Sequence, residues 1–157
     1  MKEKYSFITN WELRAPLEEV WQAILESEQW PQWWKGVIDV KELEPGNENG
    51  VGSIRSYTLS SPSRYKLRFN LVLTDRIEYQ LLKGDATGDL QGTGSWHFRH
   101  HEDVTYVQCR WHVRTTIPWM NYLGVVLAPF FRYNHAIVMK WGASSLARKL
   151  NSELIRH

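Results

Sequence analysis

Cysteine is almost absent. Cys109 stands alone in a chain of 157 residues, so no disulfide forms within it. Its neighbours Val107, Trp111 and Val113 place the thiol in a core, not in the electropositive, accessible setting a reactive thiolate needs. Long apolar runs are missing too: the longest, 124–131, falls far short of a membrane span and contains Pro129. The opening Met1-Lys2-Glu3-Lys4 carries no apolar stretch of the kind a secretion signal uses. A cytoplasmic location without integral membrane association is therefore expected. Neither sign of charge dominates, since the formal net charge is +2 with acidic and basic residues interspersed. Bulk electrostatics thus gives no reason to expect nucleic acid or an anionic membrane as partner.

Several chemical signatures are also lacking. There is no G-x-S-x-G elbow, no Gly-rich phosphate loop opening a helix, and no carboxylate pair that reads as buried. Asp85 and Asp89 flank Gly88, and Asp89 reads as a turn residue. His97, His100, His101 and His112 do not have metal-site spacing. On strands His97 and His101 share one face while His100 takes the other, and no cysteine pair or i, i+4 histidine pair fixes a tetrahedral site. Neither a metal nor a cofactor is expected. Lys66, Arg68, Arg110, His112 and Arg114 fall on the outward faces of two strands whose aromatics point the other way. That pattern is a solvated convex face, not a nucleic-acid surface.

What is abundant is tryptophan, with nine residues, more than a core of this size needs for volume. Large aromatic faces suit a pocket that holds an apolar or planar ligand. The chain begins with a half-buried strand, in which Phe7, Thr9, Trp11 and Leu13 alternate with Ser6, Asn10, Glu12 and Arg14. Pro16 then takes the first position of a helix, where its missing N–H costs nothing. Leu17, Val20, Trp21 and Ile24 give that helix one apolar stripe, and Glu18 and Glu19 face the positive end of its dipole. The cluster Trp30-Pro31-Gln32-Trp33-Trp34 follows, too bulky for one core site, so at least one of its rings is expected to cap something other than the main core.

Next come strands separated by turn residues: 37–43, 53–59, a clear strand carrying Leu67, Phe69, Leu71 and Leu73 on one face, and 80–87. Gly88, Gly92 and Gly94 share a face of the following segment and suggest a flat patch for a helix backbone. Trp96 and Phe98 continue that face. After a Glu102-Asp103 turn, Thr105, Val107, Cys109, Trp111, Val113 and Thr115 alternate with polar residues. Short turns make this an antiparallel meander with one face to be covered. The cover is a helix over 130–150, after a mixed stretch 119–127 and a kink or break at Pro129. Its stripe is Phe131, Asn134, Val138 and Trp141, widened by Phe130, Ile137, Met139 and Leu146. Length and composition fit one domain spanning residues 1–157.

Ala15-Pro16 with Val20-Trp21, Trp30-Pro31-x-Trp33-Trp34, Gly88-Asp89-Leu90-x-Gly92-x-Gly94-x-Trp96, and Asn134-His135-x-x-Val138-Met139 with Gly142 and Leu146 together resemble the START-like (SRPBCC) superfamily. The branch they resemble most is that of polyketide cyclases/dehydrases and lipid transport. The resemblance runs along essentially the whole chain. It implies an α+β helix-grip fold: a curled antiparallel sheet of about seven strands wrapped around a long C-terminal helix, with two short helices after the first strand. It also implies a cavity between sheet and helix, on a scaffold that serves many tasks.

Three functions are compatible with that scaffold. The leading one is an intracellular protein enclosing a small hydrophobic or aromatic ligand, lipid-like or polyketide-like. Its expected wall is Trp33, Phe69, Leu71, Trp96, Trp111, Phe131 and Val138, with Asn134, Tyr57 and Arg55 orienting the ligand. Adjacent helical residues diverge by about 100°, which favours Asn134 over His135 as the one facing the pocket. The second is a cyclase- or dehydratase-like enzyme using His135, Tyr57 or Arg55, the latter two sharing one face of a strand. The third is a protein-interaction module resembling the chaperone-activator branch, which needs Trp30 or Trp34 exposed. A homodimer is left open. The Trp33-Trp34 turn is expected at a cavity mouth as a lid, with Trp33→Ala reducing ligand uptake more than stability.

Overall fold

A computed structural model of the protein describes residues 4–63, 65–118, 122 and 124–157, with the backbone alone at 124 and 125. Residues 119–121 and 123 of the mixed stretch 119–127 therefore lie outside the described residues. The elements run β1 (Lys4–Leu13), α1 (Leu17–Leu25), a 3-10 turn (Ser27–Gln29), α2 (Trp30–Trp33), β2 (Val37–Glu44), β3 (Ile54–Ser60), β4 (Lys66–Ile77), β5 (Leu81–Gly88), β6 (Leu90–His101), β7 (Val104–Thr115), α3 (Gly124–Lys149) and β8 (Leu154–Arg156). The strands form one open antiparallel sheet in the order β2-β3-β4-β5-β6-β7-β1-β8. The period-2 pattern settles its faces. Thr105, Val107, Cys109, Val113 and Thr115 are buried on β7, and Tyr5, Trp11 and Leu13 on β1. The helix-grip arrangement is as expected, with one strand more. β8 follows α3 and pairs with the end of β1, where its three residues carry too short a pattern to be read as a strand.

Three local expectations are corrected. Pro16 is the N-cap of α1, not its first helical residue: its ψ of 139° is extended, and its carbonyl accepts the Val20 N–H at 3.2 Å. Pro129 does not break the last helix, which already starts at Gly124. It stands just past the first turn, whose N–H groups have no intrahelical acceptor in any case, so it removes little more than one bond. The glycine patch on β6 is not covered by a helix backbone either. A Cβ at Gly94 would lie 2.9 Å from the Trp111 ring, so the cross-strand neighbour Trp111 fills that space itself.

The close approach of helix to aromatic occurs at another glycine. A Cβ on Gly142 of α3 would meet the Trp34 indole at 2.4 Å, and the indole Nε1 donates to the Val138 carbonyl at 2.9 Å. Trp34 thus lies along one turn of α3 and fixes the helix's rotation about its axis. That rotation buries Phe131, Asn134, Met139, Ala143 and Leu146. Phe130, expected to widen the buried stripe, instead stays 37% exposed and touches Tyr65 at 5.9 Å between ring centroids. Among the described residues no helix is long and apolar enough to cross a membrane.

Candidate functional site

The concave face of the sheet, α1 to α2 and the inner face of α3 enclose a cavity of about 410 Å³. Its lining is mostly apolar, and the alternation of the strands explains which side chains reach it. Phe69 and Leu71 of β4, Trp96 of β6 and Trp111 of β7 all line it, and Phe131 and Val138 enter from α3. Leu71, Trp96, Trp111 and Val138 pack against the core and are only partly buried, as expected for walls of an open space.

Trp33 is the exception. It does not line the cavity; Trp30 and Trp34 do. α2 keeps the Trp33 ring out of the cavity lining, partly buried against the core and stacked on Trp34 at 5.6 Å and 22°. Trp34 is the hub of the cluster, with Trp11, Trp30 and Trp96 at centroid distances of 5.6, 4.9 and 6.2 Å. The pair is therefore packed structure tied to α3, not a lid. Of the three indoles in the motif, Trp33 is the one outside the cavity lining.

Strand register sorts the polar lining into two ends. At one, Arg55 and Tyr57 both face inward and converge on Ser27 in the 3-10 turn. Tyr57 Oη and Ser27 Oγ are 2.8 Å apart. Arg55 Nη1 donates to Ser27 Oγ at 2.7 Å and to the Leu25 carbonyl at 2.8 Å, while Nη2 lies 3.6 Å from Glu42. Burial raises the Tyr57 phenol above its ordinary value, so it holds its proton. These bonds staple the turn after α1 to β3. Ser27 was not foreseen from sequence, because one serine after a helix carries no signal of its partners.

The other end lies under the first half of α3, near Tyr5 and Leu67. Asn134 and His135 both line the cavity here. Residues about 100° apart both border one space when the face centre falls between them, and here it does. Asn134 is 1% exposed and engaged: its Nδ2 donates to the Phe130 carbonyl at 2.7 Å and its Oδ1 accepts from Ser63 at 3.1 Å. His135 is held by stacking, its ring 4.0 Å from Phe7 at 11°. Its Nε2 is buried with no hydrogen-bond partner, and burial lowers its pKa to about 4. The imidazole is therefore neutral at pH 7. Phe7 was legible as an inward residue of β1, though not as the partner of His135.

Cys109 is buried, and burial raises its thiol far above the ordinary range. No group of three or more potential ligands for a metal ion occurs among the described residues.

An open antiparallel sheet closed over a cavity by one long helix defines a helix-grip protein. The chain matches the polyketide cyclase/dehydrase and lipid transport family over residues 8–151, and it belongs to that family. No curated protein matches it in sequence. Among solved structures, it is similar to TTHA0849 from Thermus thermophilus, with a TM-score of 0.74 and 16% identity over 92% of this chain and 99% of that one. A START superfamily protein from Mycobacterium smegmatis gives 0.71 and 16% over 94% and 97%. The Zhui aromatase/cyclase from Streptomyces sp. R1128 gives 0.70 and 9% over 95% and 94%. At these identities the likeness is one of fold.

Proposed function

We propose that the protein is an intracellular binding protein that encloses one small apolar or aromatic molecule, lipid-like or polyketide-like, between its sheet and α3. The observation that carries this reading is the cavity of about 410 Å³, whose aromatic walls surround polar groups mostly bonded to the protein itself. Burial of ligand surface supplies the affinity, about 25 cal/mol per Å² before association costs. Tyr57, Arg55 and Asn134 shape the polar ends more than they offer free bonding capacity.

The enzyme reading draws support from one feature, the convergence of Arg55 and Tyr57 on Ser27. Against it, the third candidate, His135, belongs to the opposite end, and its low pKa makes it a poor proton carrier near neutrality. The interaction-module reading lacks its surface, since Trp30 and Trp34 are 8% and 4% exposed.

The test is titration with N-phenyl-1-naphthylamine, together with native mass spectrometry of protein purified from its own host. Saturable one-to-one binding that quenches tryptophan emission, or a retained apolar molecule, is expected. Absence of both would remove the proposal.

A further inference from the structure

The balanced net charge of the whole chain conceals an uneven distribution. Residues 104–152 contain no aspartate or glutamate, and they carry Arg110, Arg114, Arg132, Lys140, Arg148 and Lys149. With a total of only +2, the rest of the chain is net acidic. This carboxylate-free stretch includes all of α3, and α3 with its approach also bears the two most exposed large apolar side chains of the described surface, Tyr122 at 89% and Val126 at 77%, together with Tyr133 at 63% and Phe130 at 37%.

At about 100° per residue, Val126, Phe130 and Tyr133 fall on one narrow stripe of α3, on the side away from the buried Phe131. Tyr122, just before the helix, continues that spacing. Lys140 prolongs the stripe toward the C-terminus, and Arg132 flanks it. The charged residues of α3 are all basic, Arg132, Lys140, Arg148 and Lys149. Among the described residues neither Arg132 nor Lys140 is in an ion pair.

We infer that the outer face of the first half of α3 docks on an anionic lipid surface, its aromatic stripe entering the headgroup region while Arg132 and Lys140 beside it meet lipid phosphates and carboxylates. An apolar helical face flanked by cations and free of acids is the pattern of an interfacial helix. Tyrosines with one apolar and one wet end suit that depth. A partner protein with a hydrophobic groove would satisfy the stripe but not the cations beside it. A second copy of this chain would bring like charges together. Docking in this way sets the Tyr65 and Phe131 end of the cavity against the membrane.

The test is co-sedimentation of the full chain with phosphatidylcholine vesicles, with and without phosphatidylserine. Binding is expected to the anionic vesicles only and to weaken with added salt. The double substitution Val126→Asp with Tyr133→Asp, at positions exposed enough to leave folding intact, should lower the affinity at least about tenfold. Arg132→Glu with Lys140→Glu should lower it similarly and flatten the salt dependence. Failure to bind anionic vesicles would overturn the inference, as would binding unaffected by the Val126 and Tyr133 pair, since the convex strands would then be the contact. So would a dimer in solution abolished by that same pair. None of these outcomes depends on N-phenyl-1-naphthylamine uptake, which reports separately on the cavity.

Discussion

The two ends of the cavity hold similar kinds of residue in different states. At the end closed by α1 and α2, Ser27, Arg55, Tyr57 and Trp34 come from different elements, and each is hydrogen-bonded to another element. At the end under the first half of α3, Asn134 is satisfied partly within its own helix, and His135 rests on Phe7 by stacking alone, with Nε2 unpaired. A polar residue facing a cavity is thus a structural cross-link where a second element reaches it and a spare group where none does. The first end holds the scaffold together; the second is the softer one.

The sharpest way to break the first end is Trp34→Ala. It removes the hub of the aromatic cluster and the bond to α3, and should cost about 3–5 kcal/mol in urea unfolding. A loss below about 1 kcal/mol would mean that Trp34 does not position the helix.

The second end is addressed through pH. The folded pKa of His135 is about 4, below its ordinary 6.5. Between those values the unfolded chain binds a proton that the folded chain does not. Stability therefore rises with pH through that window and levels off above it. Acidification to the bottom of the window removes roughly 3 kcal/mol through this residue. His135→Phe keeps the stacking and should lose that part of the pH dependence; parallel pH profiles for the two proteins would show that His135 is not buried as described.

Ser27→Ala tests the cross-link directly. It deprives Tyr57 Oη and Arg55 Nη1 of a shared partner and should cost about 2 kcal/mol, more than the same change at exposed Ser6. Equal, small effects would place the Arg55 and Tyr57 pair among groups that solvent can satisfy. The smallest effect is expected from Trp33→Ala. Stacking on Trp34 and part of the packing against the core are lost, about 1–2 kcal/mol, with N-phenyl-1-naphthylamine affinity unchanged. A selective loss of ligand uptake would restore the lid that the sequence suggested.

Part of the site was legible beforehand because strands alternate with a strict period. Phe69, Leu71, Trp96 and Trp111 reach the cavity for the same reason that Lys66, Arg110 and Arg114 do not, whereas Tyr57 and Arg55 were legible as sharing one face but not as facing inward. Helical residues were harder. Asn134 and His135 compete only if the face centre passes through one of them, and that centre is set by Trp34 lying on Gly142, a contact more than a hundred residues away in sequence. For the same reason neighbouring tryptophans of one motif parted company, Trp34 in the cavity lining and Trp33 packed behind it.

The sequence by itself determined the order of elements as far as α3, the inward face of most of the strands, the helix-grip fold and the family, because these follow from local periodicity and motifs carried along nearly the whole chain. Tertiary structure decided which tryptophans wall the cavity, which polar groups are already bonded, and which apolar side chains of the carboxylate-free helix reach the surface. Those properties depend on which distant side chains occupy the same space, and local spacing does not encode that.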